Sequence, residues 1–378
     1  MPRKTDAAQT PVVPAAEQHL IDSINVLSGN RVLCKSLAAG LFAREYLRHH
    51  TEARVVCWFV DRADAAAAEA AVADEGDDMS SRLQIVCSAD LPEGEFDLCA
   101  FPVPGGRDAE FYREILRQGH GVLRAGGALA VAHEARDDRW LHAELQQLFP
   151  KVTRQVSRRR ILYRGTKAGP LKKQKDYRCE LVFRDGDDLR RVTTRPGMDG
   201  HRMILPAERA LLDLLPVPED GHRYLQIGAA SGATAIGLAG RNPNCAYHVI
   251  DTNCRAIDCL NEAVERNGVT NITIEQTTCT DFHSDQPFDF VLSMPPETQG
   301  NRVGLAHLRL ARRVLKSEGQ IVVVTKLMNQ FGEAMVRWFD DVAVDEVRNL
   351  FVLSALQRPP NTRSRGDEML DLIDMDDL

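Results

Sequence analysis

The chain has 378 residues, of which 44% are apolar and 27% charged, and it carries a net charge of −7 at pH 7. This is room for two ordinary domains, each with its own core, and it excludes disordered, collagenous and fibrous classes. No apolar run reaches the length a membrane-spanning helix needs, and the acidic balance argues against nucleic-acid binding over the whole surface while leaving room for a local basic patch.

Residues 1–21 read as a flexible tail, with a basic start but neither the apolar core nor the cleavage pattern of a signal peptide. Residues 22–165 then alternate short apolar runs with helix-like segments. Strands are expected at Arg31–Cys34, Arg54–Val60, Leu83–Cys87, Phe96–Phe101 and Ala128–Ala132. Helices such as Ala38–Arg48 and Ala65–Ala73 fall between them, the second with Asp64 as its expected N-cap. Alternation of this kind predicts a parallel sheet with helices on both faces. The nine cysteines include no C-x-x-C pair, and Cys34, Cys57 and Cys99 lie inside apolar runs. They read as buried free thiols in a reducing compartment, which excludes a zinc site and places the protein in the cytoplasm.

A basic segment follows, Lys151–Arg178, with eleven Lys or Arg against the single acid Asp176. Two readings stay open. One is a final strand at Arg160–Tyr163 followed by a solvated linker over residues 166–190. The other is a phosphate-contact stripe for RNA, built from Arg158, Arg159, Arg160, Lys172, Lys173 and Lys175, with Tyr163 and Tyr177 to stack on bases.

Residues 191–360 repeat the first domain at a constant offset of 192. Arg31–Ser36 matches Arg223–Gly228, Gly40 matches Gly232, and Phe96-Asp-Leu-Cys matches Phe288-Asp-Phe-Val. Pro104 matches Pro296, and Val122–Gly127 matches Val314–Gly319. The fold expected is a tandem of two Rossmann-like α/β domains, each a mostly parallel, doubly wound sheet.

The copies differ where a ligand would sit. The first has Ser36-Leu-Ala-Ala-Gly40, whereas the second has Gly228-Ala-Ala-Ser-Gly232, so a nucleotide site is expected in the second alone. Small residues let the backbone approach a ligand, the following helix presents unpaired N–H groups, and Asp251 at the next strand tip can accept from both ribose hydroxyls. Ala230 replaces the middle glycine of a dinucleotide fingerprint, which disfavours a dehydrogenase. Thr252 or Asn253 caps a helix that runs to about Asn267 and stops at Gly268, and a strand is expected at Asn271–Glu275. Asp281 and Phe282 lie just past it, placed to meet an adenine amine and ring. The strand from Phe288 ends in Ser293-Met-Pro-Pro-Glu297, stiff at the sheet edge where ligands bind in open α/β folds. Residues 361–378 carry six acids and read as a solubilising tail or a docking segment for a protein partner.

These features resemble class I S-adenosylmethionine-dependent methyltransferases, and more closely the two-domain bacterial ribosomal-RNA guanine-N2 methyltransferases. The resemblance runs from about Asp22 to Pro359 and includes Arg195-Pro-Gly-Met and Arg266-Asn-Gly. It implies a cofactor-free first copy and an active second copy. It places S-adenosylmethionine against Gln226, Gly228, Ala230, Gly232, Asp251, Thr252, Asp281 and Phe282. It also makes Ser293, Met294, Pro295, Pro296 and Glu297 the catalytic segment. The family pattern there is Asn-Pro-Pro-aromatic; Met294 and Glu297 replace the amine-accepting Asn and the stacking ring, with Ser293 and Glu297 as substitute acceptors. Three activities are therefore carried forward: methyl transfer to a guanine exocyclic amine in ribosomal RNA, an impaired relative that acts as an RNA-binding or assembly scaffold, and transfer to a non-RNA substrate.

Overall fold

The computed structural model describes residues 13–358, apart from 107, 172, 174 and 297–299, and gives no side-chain placement for 300, 301 and 330. The acidic segment 361–378 and residues 1–12 of the expected tail lie outside the described residues. The chain forms two compact units, Met1–Asp176 and Tyr177–Leu378.

The first unit runs α1 (Ala15–Ile21), β1 (Arg31–Lys35), α2 (Leu41–His49), β2 (Arg54–Phe59), α3 (Arg62–Ala73), α4 (Asp77–Arg82), β3 (Leu83–Cys87), β4 (Phe96–Val103), α5 (Ala109–Val122), β5 (Leu123–His133), α6 (Trp140–Leu148), β6 (Val152–Ser157) and β7 (Arg160–Thr166). Its sheet order is β3-β2-β1-β4-β5-β7-β6, with β7 antiparallel to β5 and to β6. The second unit opens with a hairpin, β8 (Cys179–Asp185) and β9 (Asp188–Thr194), followed by α7 (Pro206–Leu214), β10 (Arg223–Ile227), α8 (Ala233–Arg241), β11 (Ala246–Asp251), α9 (Cys254–Asn267), β12 (Ile272–Gln276), β13 (Phe288–Ser293), α10 (Gly300–Val314), β14 (Leu315–Thr325), α11 (Met328–Trp338), β15 (Asp340–Val347) and β16 (Leu350–Leu356). Its sheet order, β12-β11-β10-β13-β14-β16-β15, is the same order over again.

The central strands are apolar on both faces because both faces are covered. Val32 and Cys34 enter one core with Leu98 and Ala100, while Leu33 enters the other with Cys99 and Phe101. The second unit alternates likewise, Val249 and Leu292 on one side, Ile250 and Val291 on the other.

The repeat extends to details that pattern alone does not show. The registers of β4 on β5 and of β13 on β14 both slip near the strand start, between Phe96 and Leu98 and between Phe288 and Phe290. A glycine faces each bulge: a Cβ on Gly127 would lie 2.9 Å from the Phe96 carbonyl oxygen, and one on Gly319 3.1 Å from that of Phe288. Asp97 accepts from the Arg31 backbone N–H at 2.8 Å, and Asp289 accepts from that of Arg223 at 2.8 Å.

Three expectations are corrected. The tail of residues 1–21 ends in α1, a packed helix whose Glu17 is fully buried. The N-cap of α3 is Asp61, not Asp64; its carboxylate accepts from the N–H groups of Ala63 and Asp64. Residues 166–190 are not linker throughout, because β8 and the start of β9 lie there, turning at Gly186 with φ +59°. Asn267 joins β9 to α9, its side chain accepting from the Arg191 N–H at 3.0 Å and donating to its carbonyl at 2.6 Å.

Glu17 accepts from Ser36 Oγ at 2.6 Å, from the Phe42 N–H at 3.1 Å and from the Leu37 N–H. Glu17→Ala leaves three donors without an acceptor and is expected to destabilise the first unit by on the order of 3 kcal/mol. Guanidinium unfolding read by near-UV circular dichroism measures this; an unchanged midpoint would show that the carboxylate is not what anchors α1.

Candidate cofactor site

The site forms where β10 and β11 end. Gly228 follows β10 at φ +91°, a conformation open to glycine, and a Cβ there would meet nothing within 4 Å. The loop therefore leaves a cradle beside its backbone. Gly232 ends the loop at φ +85° and caps α8. Ala230, between them, holds φ +48°, so this alanine takes a left-handed backbone where the expected pattern has glycine.

Asp251 ties the second strand to the loop. One carboxylate oxygen accepts from the Ala229 N–H at 2.7 Å and the other from the Asn253 N–H at 2.8 Å. Loop and acid thus form one hydrogen-bonded unit at the sheet edge. Thr252 is half-buried beside it. Asn253 is the N-cap of α9, and its Nδ2 donates to the Gly197 carbonyl at 2.6 Å. The fully buried Arg255 donates to the Pro196 carbonyl at 2.6 Å. The Arg195-Pro-Gly-Met turn is held against the site by these two bonds.

Gln226 is fully buried and does not reach the cradle. Its Nε2 donates to the Gly228 carbonyl at 2.7 Å and its Oε1 accepts from Tyr247 Oη at 2.9 Å. It positions the loop from below. Phe282 is corrected too: it is fully buried, edge-on to His248 and close to Phe288, so it has no face left for an adenine. Asp281 is exposed and accepts from Thr278 Oγ1 at 2.8 Å.

The expected catalytic segment is divided. Ser293 is fully buried, with its Oγ 2.9 Å from Nδ1 of the buried His307, whose pKa burial pushes down to about 4. Ser293 is thereby turned into the protein, and it cannot stand in as an acceptor at the edge. Met294 is half-buried against the apolar core, Pro295 is buried and Pro296 half-buried. Glu297 lies outside the described residues.

One residue at the loop escaped sequence reasoning. Glu208 of α7 is fully buried; it accepts from Ser231 Oγ at 2.8 Å, from the Ala233 N–H at 3.1 Å and from the Leu205 N–H at 3.0 Å. Its place three residues into a helix, reaching back to the residue before that helix, was the available signal.

Residues 190–354 match the family model described as Methyltransferase small domain. That match lies within the second unit, Tyr177–Leu378. An uncharacterised Bacillus subtilis protein, YbxB, is 29% identical over 156 residues, 40% of this chain and 78% of that one. The ribosomal RNA small subunit methyltransferase G of Vibrio atlanticus is 27% identical over 73 residues, 19% of this chain. The chain spans only 35% of that relative's length. Among solved structures, the T. thermophilus 16S rRNA guanine-N2 methyltransferase RsmC, in complex with AdoMet and guanosine, superposes with a TM-score of 0.77 at 17% identity, covering 94% of each chain. That likeness establishes the fold of both units.

Outside residues 190–354, the residues of the expected RNA stripe are divided. Arg158 stands at φ +47° in the turn between β6 and β7, and Arg158, Arg159, Lys173 and Lys175 are exposed. Arg160 pairs with Asp22 at 3.1 Å, and Lys172 lies outside the described residues. The aromatic half of the expectation fails. Tyr163 is fully buried, stacked on His142 and donating to the Asp138 carbonyl, and Tyr177 is buried as well. Neither can stack on a base. Among the described residues no helix is long and apolar enough to cross a membrane, and no cluster of His, Cys, Asp or Glu could hold a metal. None of the nine cysteines is joined in a disulfide.

Burial pushes the Glu208 carboxyl up to about 7, against the four donors that would lower it. The folded state therefore holds its proton more tightly than the unfolded state, and this contribution to stability is full at low pH and is lost as pH rises through 7. Thermal melts from pH 5 to 8 should show a steeper fall for the wild type than for Glu208→Gln. Parallel pH profiles would place the titration elsewhere.

Proposed function

We propose that the second unit binds S-adenosylmethionine and transfers its methyl group to a guanine exocyclic amine in ribosomal RNA, in the cytoplasm. The observation that carries this reading is the hydrogen-bonded pairing of the Gly228 loop with Asp251. An open cradle at Gly228 suits the amino-acid end of the cofactor, and a carboxylate at the next strand tip suits its ribose. The residues present fit the group. Relatives named as ribosomal RNA methyltransferases, and a fold shared with a guanine-N2 enzyme solved with AdoMet, support the choice of cofactor and substrate.

When bound, the cofactor supplies an electrophilic methyl on a positively charged sulfur. The protein contributes position. Asp251 would accept the ribose hydroxyls, Gly228 and Gly232 would admit the methionine end, and Gln226 with Tyr247 would hold the loop rigid. Pro295 and Pro296 stiffen the edge against which the target amine would be aligned. Asp281, exposed past β12, remains the carboxylate for the adenine amine. The exposed Arg158, Arg159, Lys173 and Lys175 would contact RNA phosphates without reading sequence.

One observation favours a second reading, a scaffold that binds cofactor or RNA with little transfer. Ser293 is committed to His307 and Met294 packs on the core, so neither offers an acceptor to an amine.

Calorimetric titration with S-adenosylmethionine and S-adenosylhomocysteine should give micromolar binding of both, lost at least tenfold in Asp251→Ala, which removes the charged acceptor. No binding to the wild type would end the cofactor assignment. Transfer of labelled methyl to ribosomal RNA should then be measured for the wild type and for Met294→Asn. Transfer by the wild type supports the enzyme. Transfer that appears only in Met294→Asn identifies the scaffold reading and its cause.

A further inference from the structure

The Arg195-Pro-Gly-Met turn continues into Asp199-Gly200, and this stretch touches both parts of the candidate cofactor site. On one side the Gly197 carbonyl accepts from Asn253 Nδ2 at 2.6 Å, two residues past Asp251. On the other, Gly200 packs on the loop itself. It stands at φ +77°, and a Cβ on it would lie 3.3 Å from the Ser231 nitrogen and 3.4 Å from the Ser231 Cβ. Glycine lets the chain come that close in a left-handed backbone. Residues 197–200 therefore reach from the strand-tip acid to the Gly228–Gly232 loop, and Asp199 lies within that span.

The stretch is anchored on either side of Asp199. Met198 is buried in the core of the second unit, and its Sδ accepts from the Arg195 N–H at 3.3 Å. The Arg202 N–H donates to Thr194 Oγ1 at 3.2 Å, and the Met203 N–H to the Gly200 carbonyl at 3.1 Å. Between the inward Met198 and the close-packed Gly200, the Asp199 side chain is exposed. Among the described residues no donor or cation pairs with its carboxylate. Desolvation alone raises its pKa above the ordinary carboxylate value. A carboxylate standing in open water would not be shifted in this way, so Asp199 faces a recess walled by protein. A desolvated carboxylate without a partner is unfavourable, and a cation entering the recess relieves it.

We propose that Asp199 receives the α-ammonium group of the cofactor's methionine end. This rests on the reading that the second unit binds S-adenosylmethionine, and it names the residue that recognises the amino-acid end. That end carries an ammonium, which needs an acceptor of opposite charge beside the open cradle at Gly228. Gln226 does not supply one, since it is neutral and its amide is spent on Tyr247 and the Gly228 carbonyl. Asp251 already holds the Ala229 and Asn253 N–H groups, one on each oxygen, and it stands at the ribose position. Asp199 reaches the same loop from the Gly200 side with both oxygens unspent. An ammonium–carboxylate pair is a charge-assisted hydrogen bond, stronger than a neutral one. Such a contact favours an adenosyl ligand that keeps its α-amine over one that lacks it.

The test titrates the full chain with S-adenosylhomocysteine, with its analogue lacking the α-amino group, and with methylthioadenosine, which lacks the whole amino-acid end. Each titration is repeated for Asp199→Asn and Asp251→Ala. The wild type is expected to bind S-adenosylhomocysteine at least tenfold more tightly than the deamino analogue. Asp199→Asn should weaken S-adenosylhomocysteine about tenfold and leave the other two ligands within about twofold. Asp251→Ala should weaken all three alike, because all three carry the ribose. A loosened fold would also weaken all three, so loss confined to the ligand with the amine is the signature, and Asp199→Glu, which keeps the charge, should recover part of it. No binding of any ligand by the wild type ends the cofactor reading and this assignment with it. Binding by the wild type, with an Asp199→Asn loss that is absent or shared by all three ligands, overturns the role of Asp199 and leaves the cofactor reading standing.

Discussion

The sheet edge of each unit depends on how the backbone N–H groups of the first strand–helix loop find acceptors. Those groups cannot bond within the helix they precede, and buried they must be satisfied. Both copies solve this with a carboxylate sent in from the preceding helix, Glu17 from α1 and Glu208 from α7. The two acids are equivalent across the repeat and fully buried in both units.

From this shared device the copies diverge. In the first unit Ser36 stands where the second has Gly228, and its hydroxyl accepts from the N–H groups of Ala38 and Gly40 at 3.0 Å each while donating to Glu17. The loop closes on itself. Asp61, at the tip of the second strand, spends its carboxylate on capping α3. In the second unit Ser231 takes over the contact to the buried acid and Gly228 is left open, so the strand-tip acid Asp251 can reach the loop. One serine moved from the start of the loop to its penultimate position separates a self-satisfied turn from a cradle.

Much of the fold was legible because the signals were periodic or repeated. Leu83–Cys87 and the start of β4 stand where alternation put them, and the constant offset of 192 anticipated two sheets of one strand order. The cap of α9 was readable to within one residue, Thr252 or Asn253, with Asn253 the one used, and its Gly268 stop was readable as well, since cap chemistry is local. The β8–β9 hairpin follows directly on the basic run Lys151–Arg178, whose linker-like composition masks its start, although Asp185-Gly186 is a turn signal. Asp61 caps α3 in place of Asp64 because both acids precede the alanine run and either residue type can supply the cap. At the sheet edge, the small-residue loop and the strand-tip acid were readable: Gly228 and Gly232 hold positive φ in the loop, and Asp251 bonds to it. Composition could not tell an aromatic that faces a ligand from one that faces the core, so Phe282, Tyr163 and Tyr177 were assigned outward. Burial depends on tertiary packing, and a single ring carries no period.

The catalytic segment shows how far positioning chemistry constrains a sequence. A transfer that relies on orientation needs one acceptor at one place and little else. Where that acceptor is absent, a neighbour one residue back cannot replace it. Along a strand successive side chains point to opposite faces, so Ser293 and Met294 cannot serve the same side. Ser293 has settled on His307 accordingly, and the low pKa of that ring keeps the pair neutral and buried at ordinary pH. Met294 meets the apolar core instead, adding contacts that an asparagine there would give up. At this strand end the side chain of Met294 supplies packing to the core rather than a polar group at the edge. On the proposed reading, cofactor binding would rest on Gly228 and Asp251 and methyl transfer on the residues after Ser293, so one could persist where the other has been lost.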